Sequence, residues 1–220
     1  MNQRTAQILE AAVGGFIDIG EPVSSGWLYK RHNFGIRPAM IRLELEELSR
    51  EGYLEQPHHS AGRVPTNSGY EFFAEMALEA TPANYRGGFR PLFNRRAWPE
   101  ILGEISEELG LLSVATDFSN LYKIGLENLM ENLEWETPEE VNSVIHDFVE
   151  IDNRVKELAK KANGEKGPEV FVGKKSPVTK SENLSVVAKT QRTRDGYVSL
   201  LVIGPKRMDY KKTLKIFQRL

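Results

Sequence analysis

The sequence predicts an α+β protein: three short helices and a hairpin at the N-terminus, then a mixed part of helices and strands. Three observations predict it. Apolar residues recur at helical spacing through the first fifty positions. A polar loop, "PHHSAGRVPTNSGY" at 57–70, separates two short runs able to pair across it. The C-terminal third holds runs rich in β-branched residues, two of them joined through an Asp-Gly turn in "LSVVAKTQRTRDGYVSLLVIG".

The first helix is "RTAQILEAAVGGFIDIG", with Ile8, Leu9, Ala12, Val13, Phe16 and Ile17 on one face and Gly20 as its stop. A second starts at Ser24 or Ser25, both good N-caps. After the "NFG" turn, Pro38 suits a first helical position, and Ile41, Leu45 and Leu48 form a core stripe. "YLEQ" and "RVP" then pair as a hairpin around the loop, and "NSGYEFFAEMALEA" returns to helix. This order is that of a winged helix-turn-helix, whose third helix enters a DNA major groove while the hairpin tip meets the backbone or minor groove beside it.

The loop chemistry fits that use. Gly62 is expected to allow a positive φ at the tip, Ser60 and exposed N–H groups to bond phosphate oxygens, and Arg63 to supply charge. An ordinary solvated hairpin is the alternative. His58 and His59 sit at the tip, but with no cysteine, no HExxH and no i, i+4 His pair, no metal or cofactor site is expected.

Composition narrows the classes further. The 220 residues are 40% hydrophobic and 27% charged, a globular balance. No apolar run approaches the roughly 18 residues of a membrane span, and the N-terminus lacks a signal-peptide pattern, so a cytoplasmic protein with no membrane partner is expected. Neither GxSxG nor a Walker or GxGxxG loop occurs, so no enzyme is expected. Net charge is −2. Residues 1–80 hold seven Lys or Arg against eleven Asp or Glu, leaving that part four units negative, so any DNA affinity must come from a local cluster and depend strongly on salt.

At "EPVSSGWL", "IRPAMIRLELEELSREGYLEQPHHSAGRVPTNSGY", "LSVATDF", "GLENLMENLEW" and "GPKRMDY" the chain resembles the heat-inducible transcription repressor family, HrcA. The resemblance implies a dimeric repressor that binds an inverted-repeat operator in double-stranded DNA upstream of chaperone genes and releases it on heat shock, with the chaperonin GroE as a partner. It also implies that the C-terminal part is GAF-like. The chain departs from the pattern in its third helix. Arg37 replaces a usual serine, Met40 a usual threonine, and Leu43 a usual polar residue, while Arg42 is retained. Arg37 is a poor N-cap unless a phosphate binds there. Arg42 can read guanine bidentately, hold a phosphate or pair with Glu46. Met40 and Leu43 can touch thymine methyls or pack, and packing is the favoured expectation. The DNA-contacting set is therefore Ser24, Ser25, Lys30, Arg37, Met40, Arg42, Leu43, His58, His59, Ser60, Gly62 and Arg63. Lys30, Arg31, Arg37, Arg42 and Arg63 are expected to share a face, with the carboxylates of "ELEELSREG" elsewhere.

Residues 81–99 read as a basic linker with four arginines between Pro82 and Pro99, and 100–220 as a shortened GAF-like regulatory and dimerisation domain. There Ile101, Leu102, Ile105, Leu109 and Leu112 are expected on one helix, and Val141, Val144, Ile145, Phe148, Asp152 and Val155 on the inner side of a second, about 138–162. Three strands follow, "EVFVG", "LSVVAKTQ" and "YVSLLVIG". Asp209 is expected to cap a last helix bearing Leu214, Phe217 and Leu220. In the resembled family several strands and an inserted dimerisation domain lie where this chain has only "SNLYKI", so its sheet is expected to be short and its dimer surface to be helical, offered by Trp98, Leu102, Leu109 and Trp135. A ligand-responsive regulator and a protein-interaction module that no longer reads DNA remain the alternatives.

Overall fold

The computed structural model describes residues 1–80, 95–117, 119–133, 137–161, 164–193 and 196–220. It divides into two compact units, Met1–Met76 and Ala77–Leu220.

In the first unit α1 (Gln3–Ile19), α2 (Ser25–Arg31) and α3 (Pro38–Arg50) precede a two-stranded antiparallel hairpin, β1 (Leu54–Glu55) and β2 (Val64–Pro65). Then α4 (Asn67–Ala80) begins. The Asn2 side chain caps α1 by accepting from the Thr5 N–H, and α1 stops with Gly20 in the left-handed region. Ser24, the first of the two candidate serines, caps α2 by accepting from Trp27 N. α3 opens on Pro38, and Arg37 makes no side-chain cap bond. Its stripe Ile41, Leu45 and Leu48 is buried, as are Ile8, Leu9, Val13, Leu28 and Leu54, so the helices close around one apolar centre. Each such side chain contributes roughly 1.5–3 kcal/mol.

The second unit is a five-stranded antiparallel sheet of order β4-β3-β7-β6-β5, with helices on its faces. The strands are β3 (Leu112–Thr116), β4 (Leu121–Ile124), β5 (Lys166–Val172), β6 (Leu184–Thr193) and β7 (Gly196–Pro205). The helices are α5 (Trp98–Leu109), α6 (Leu126–Asn132), α7 (Pro138–Lys160) and α8 (Tyr210–Arg219). One face buries Leu112, Val114, Val186, Leu201 and Ile203 against Leu129 of α6 and Val144, Ile151 and Val155 of α7. On the other side Tyr210 of α8 shares a hydrogen bond with Ser185 (2.7 Å), and Lys189 Nζ donates to Phe217 O (2.8 Å).

The structure departs from the sequence expectations at several residues of the second unit. Leu112 is not helical: Gly110, at φ 67°, ends α5 after Leu109, and Leu112 begins β3. The sheet has five strands rather than three, because "LSVAT" and "LYKI" pair as a hairpin through Asp117–Asn120. On α7, Ile145 is 48% exposed and Asp152 faces Lys123 of β4, while the buried polar position is Asp147. Trp98 and Leu102 are 3% and 1% exposed, so both belong to the protomer's own core. Trp135 and residues 81–94 of the basic stretch lie outside the described residues.

Candidate nucleic-acid interface

The hairpin is held to the end of α3 by backbone bonds and by the Thr66 hydroxyl. Gly52 turns the chain after α3 at φ 83°, and Tyr53 N donates to Leu48 O (3.0 Å). Thr66 Oγ1 then donates to the carbonyls of Gly52 (2.6 Å) and Tyr53 (3.1 Å), fixing the foot of β2 against the foot of β1. A further bridge joins Arg63 to Val23, the residue before the cap of α2: Val23 N donates to Arg63 O (2.9 Å) and Arg63 N to Val23 O (2.8 Å). The start of α2, α3 and the hairpin thus form one rigid edge.

Gly62 serves this edge differently from the sequence expectation. Its φ is not positive. A Cβ at 62 would lie 2.5 Å from the carbonyl carbon and oxygen of Val23, so glycine is required by close approach. At the tip Gln56 Nε2 donates to His59 O (3.1 Å) and Ala61 O (2.9 Å), which closes the loop from inside. His58 Nδ1 lies 3.0 Å from Ser60 Oγ, and His58, His59 and Ser60 are exposed.

Two arginines converge on a recess of about 270 Å³ lined by Ser24, Ser25, Arg42, His59, Ser60 and Arg63, among others. Arg63 is half-buried. Its Nε donates to Ser49 Oγ (2.9 Å), which in turn donates to Leu45 O (2.9 Å). Arg42 is exposed, its Nε 3.2 Å from Glu46 Oε1. Of the three roles open to Arg42, the pair with Glu46 is the one formed in the free protein; at 74% side-chain exposure it is a weak, exchangeable bond.

The remaining cations do not join that recess. Arg31 lies over the Trp27 ring at 4.3 Å, while Lys30 and Arg37 are exposed on α2 and at the start of α3. The carboxylates are divided too. Glu44 turns inward to accept from Thr5 Oγ1 (2.7 Å), but Glu46 and Glu47 stay on the outer side of α3, bonded to Arg42 and Arg50. Met40 and Leu43 are 46% and 55% exposed, so the expectation that they pack is overturned. The outer face of α3 is therefore apolar near its start and charged near its end. Sequence reasoning missed Ser49 and Gln56, whose bonds join residues brought together by the hairpin; only their position beside it could have signalled them.

The second unit holds a separate recess of about 290 Å³ at one end of the sheet, with Arg96, Asp117, Asn120, Lys160, Thr193 and Tyr197 in its lining. Burial pushes the Asp117 carboxyl up, but the N–H groups of Ser119 and Asn120, the Asn120 amide and the Arg96 charge together hold it below the ordinary 3.8. Among the described residues no group of three His, Asp or Glu side chains is placed to hold a metal ion. No described helix is long and apolar enough to cross a membrane.

Comparison with known proteins places the chain. Residues 81–214 match the family described as HrcA protein C terminal domain. The heat-inducible transcription repressor HrcA of Symbiobacterium thermophilum is 38% identical over 84 residues, covering 38% of this chain and 25% of that protein. That of Desulforudis audaxviator is 37% identical over 123 residues, covering 55% and 36%. That of Frankia casuarinae is 44% identical over 82 residues, covering 37% and 24%. The chain thus matches only about a quarter to a third of each curated relative's length. A crystal structure of a hypothetical protein shares the fold, with a TM-score of 0.78 at 16% identity over 99% of this chain and 94% of that one.

Proposed function

The chain belongs to the HrcA family, and from that premise we propose that it is a DNA-binding transcription repressor of heat-shock genes, its first unit acting as a winged helix-turn-helix. The observation that carries the reading is the rigid edge of α2, α3 and hairpin, with Arg42 and Arg63 in one recess and hydroxyls of Ser24, Ser25 and Ser60 around them. Such a recess suits a backbone phosphate, while the start of α3 approaches the bases. His59 lines the recess too, the exposed Lys30, Arg37 and His58 serve as further phosphate contacts outside it, and Gly62 holds the tip close to Val23.

The operator is an inverted repeat bound by a homodimer, since a winged helix with four net negative charges holds one half-site weakly. Its setting is the cytoplasm, where the DNA and the chaperonin GroE, the regulatory partner, both lie. Nothing in this reading requires catalysis, and the second unit acts as a GAF-like regulatory and dimerisation domain. A second reading, control by a small ligand, is favoured by the 290 Å³ recess, which brings Arg96, Lys160, Asn120 and the Asp117 carboxylate together as convergent polar groups.

Fluorescence anisotropy with inverted-repeat and scrambled duplexes, repeated over a range of salt, tests the repressor reading. Tighter binding of the inverted repeat, falling linearly in log salt, is the expected outcome. Equal affinity for both duplexes, or none at low salt, overturns it.

A further inference from the structure

The outer face of α3 carries an apolar surface that the fold does not use. Ala39, Met40 and Leu43 are exposed, Met40 by 46% and Leu43 by 55%, although Leu43 lies opposite the buried stripe Ile41, Leu45 and Leu48. The three are neighbours on the helix surface, at i, i+3 and i+4 spacings, in its first turn and a half after Pro38. Arg37 precedes them, and Arg42 and Arg50 are exposed on the same helix. Beyond them the same helix carries the Arg42–Glu46 and Arg50–Glu47 ion pairs, so charge there is balanced. Arg42, one position from Leu43, also lines the recess assigned above to a backbone phosphate, and a polyanion held there offers the patch small apolar groups at intervals. In the major groove of DNA that group is the thymine C5 methyl.

We propose that Ala39, Met40 and Leu43 read thymine methyl groups, so that this chain selects operators by apolar contact where α3 enters the groove, with Arg42 held to one side by Glu46 and the hairpin recess. The proposal rests on the DNA-binding reading above and adds its base preference. Leu43, at the centre of the outer face, is the principal reader. Met40, unbranched and half exposed, adapts to a second methyl one step away.

The test begins by selecting the best duplex from a randomised pool with the intact chain, then replacing its thymines one at a time by deoxyuridine, which lacks only the C5 methyl. At one or two positions per half-site the replacement should weaken binding about four-fold, the equivalent of one methyl group removed from water. Leu43→Ala should remove that discrimination without moving the circular dichroism melt, because the side chain contributes nothing to the core. Leu43→Asn should shift the preferred base there from thymine to adenine, which asparagine bonds through N6 and N7. A selected duplex whose affinity is unchanged by deoxyuridine at every thymine overturns the proposal and leaves the repressor reading standing. So does a Leu43→Ala loss equal for both duplexes. Failure to bind any duplex at low salt, or patch variants that alter only protein association, overturns both and makes the patch a protein contact.

Discussion

At the scale of single residues the hairpin edge divides its work between backbone and charge. Gly62→Ala places a Cβ 2.5 Å from the Val23 carbonyl and must push the bridge apart, so a loss of about 1–3 kcal/mol in stability is expected in a denaturant titration. Arg63→Ala has two expected effects. It removes the bond to Ser49, at about 1 kcal/mol, and it lowers the salt slope of DNA binding by about one while weakening specific and random duplexes equally. A changed base preference in that variant would show that Arg63 reads bases instead. The sequence pattern was enough to single out both residues, since a Gly-Arg pair in a polar loop has few uses. It could not show how each is used: the Val23 bridge and the Ser49 bond join positions forty and fourteen residues apart in the chain, and no local pattern encodes them. Met40 and Leu43 were legible as candidate contacts, but the sequence favoured packing for them because an apolar side chain on a helix is more often buried, and only the structure shows both exposed.

At the scale of elements α3 and its hairpin were legible because cues agreed: Pro38 at the start, the stripe Ile41, Leu45 and Leu48, then a turn signal. Leu45→Ala or Leu48→Ala is expected to cost about 2–5 kcal/mol in a thermal melt and to lose DNA binding only through unfolding. The β3–β4 hairpin was less legible, since Leu109 and Leu112 keep a helical spacing across the turn and a short buried strand looks like a helix end. On α7 the hidden feature is Asp147, 3% exposed amid an apolar stripe. Its carboxylate accepts from the backbone N–H of Lys180 (2.7 Å) and Ser181 (2.6 Å) and pairs with Arg154, so it fastens the segment 176–181, whose Val178 packs in the core of the sheet. Asp147→Ala leaves those N–H groups without their acceptor and Arg154 with only the Val178 carbonyl (3.3 Å). A loss of about 3–5 kcal/mol is expected, read by a melt of the intact chain. A second contribution depends on pH. The Asp117 carboxyl, held below 3.8 in the fold, stabilises the β3–β4 turn fully above that value and loses its contribution as pH falls through the depressed one. The acid limb of the stability curve should flatten in Asp117→Asn.

At the scale of the whole molecule, repression through an inverted repeat requires two copies. An inverted repeat needs two recognition helices related by a two-fold axis, and joining two weak modules raises the effective concentration of the second by avidity. The surfaces for that joining cannot be Trp98 and Leu102, which the protomer buries for itself. Leu121–Ile124 pairs with β3 along its length, so the short segment between the two family-like motifs is itself an edge strand of the sheet. The most direct measurement is an equilibrium titration of the intact chain, its mass followed by light scattering, against a full palindrome, an isolated half-site and a random duplex at one salt concentration. The account predicts two chains per palindrome, bound at least ten-fold more tightly than the half-site and more tightly still than random DNA, an order of magnitude expected of linked modules. A single chain that binds all three duplexes alike would contradict it.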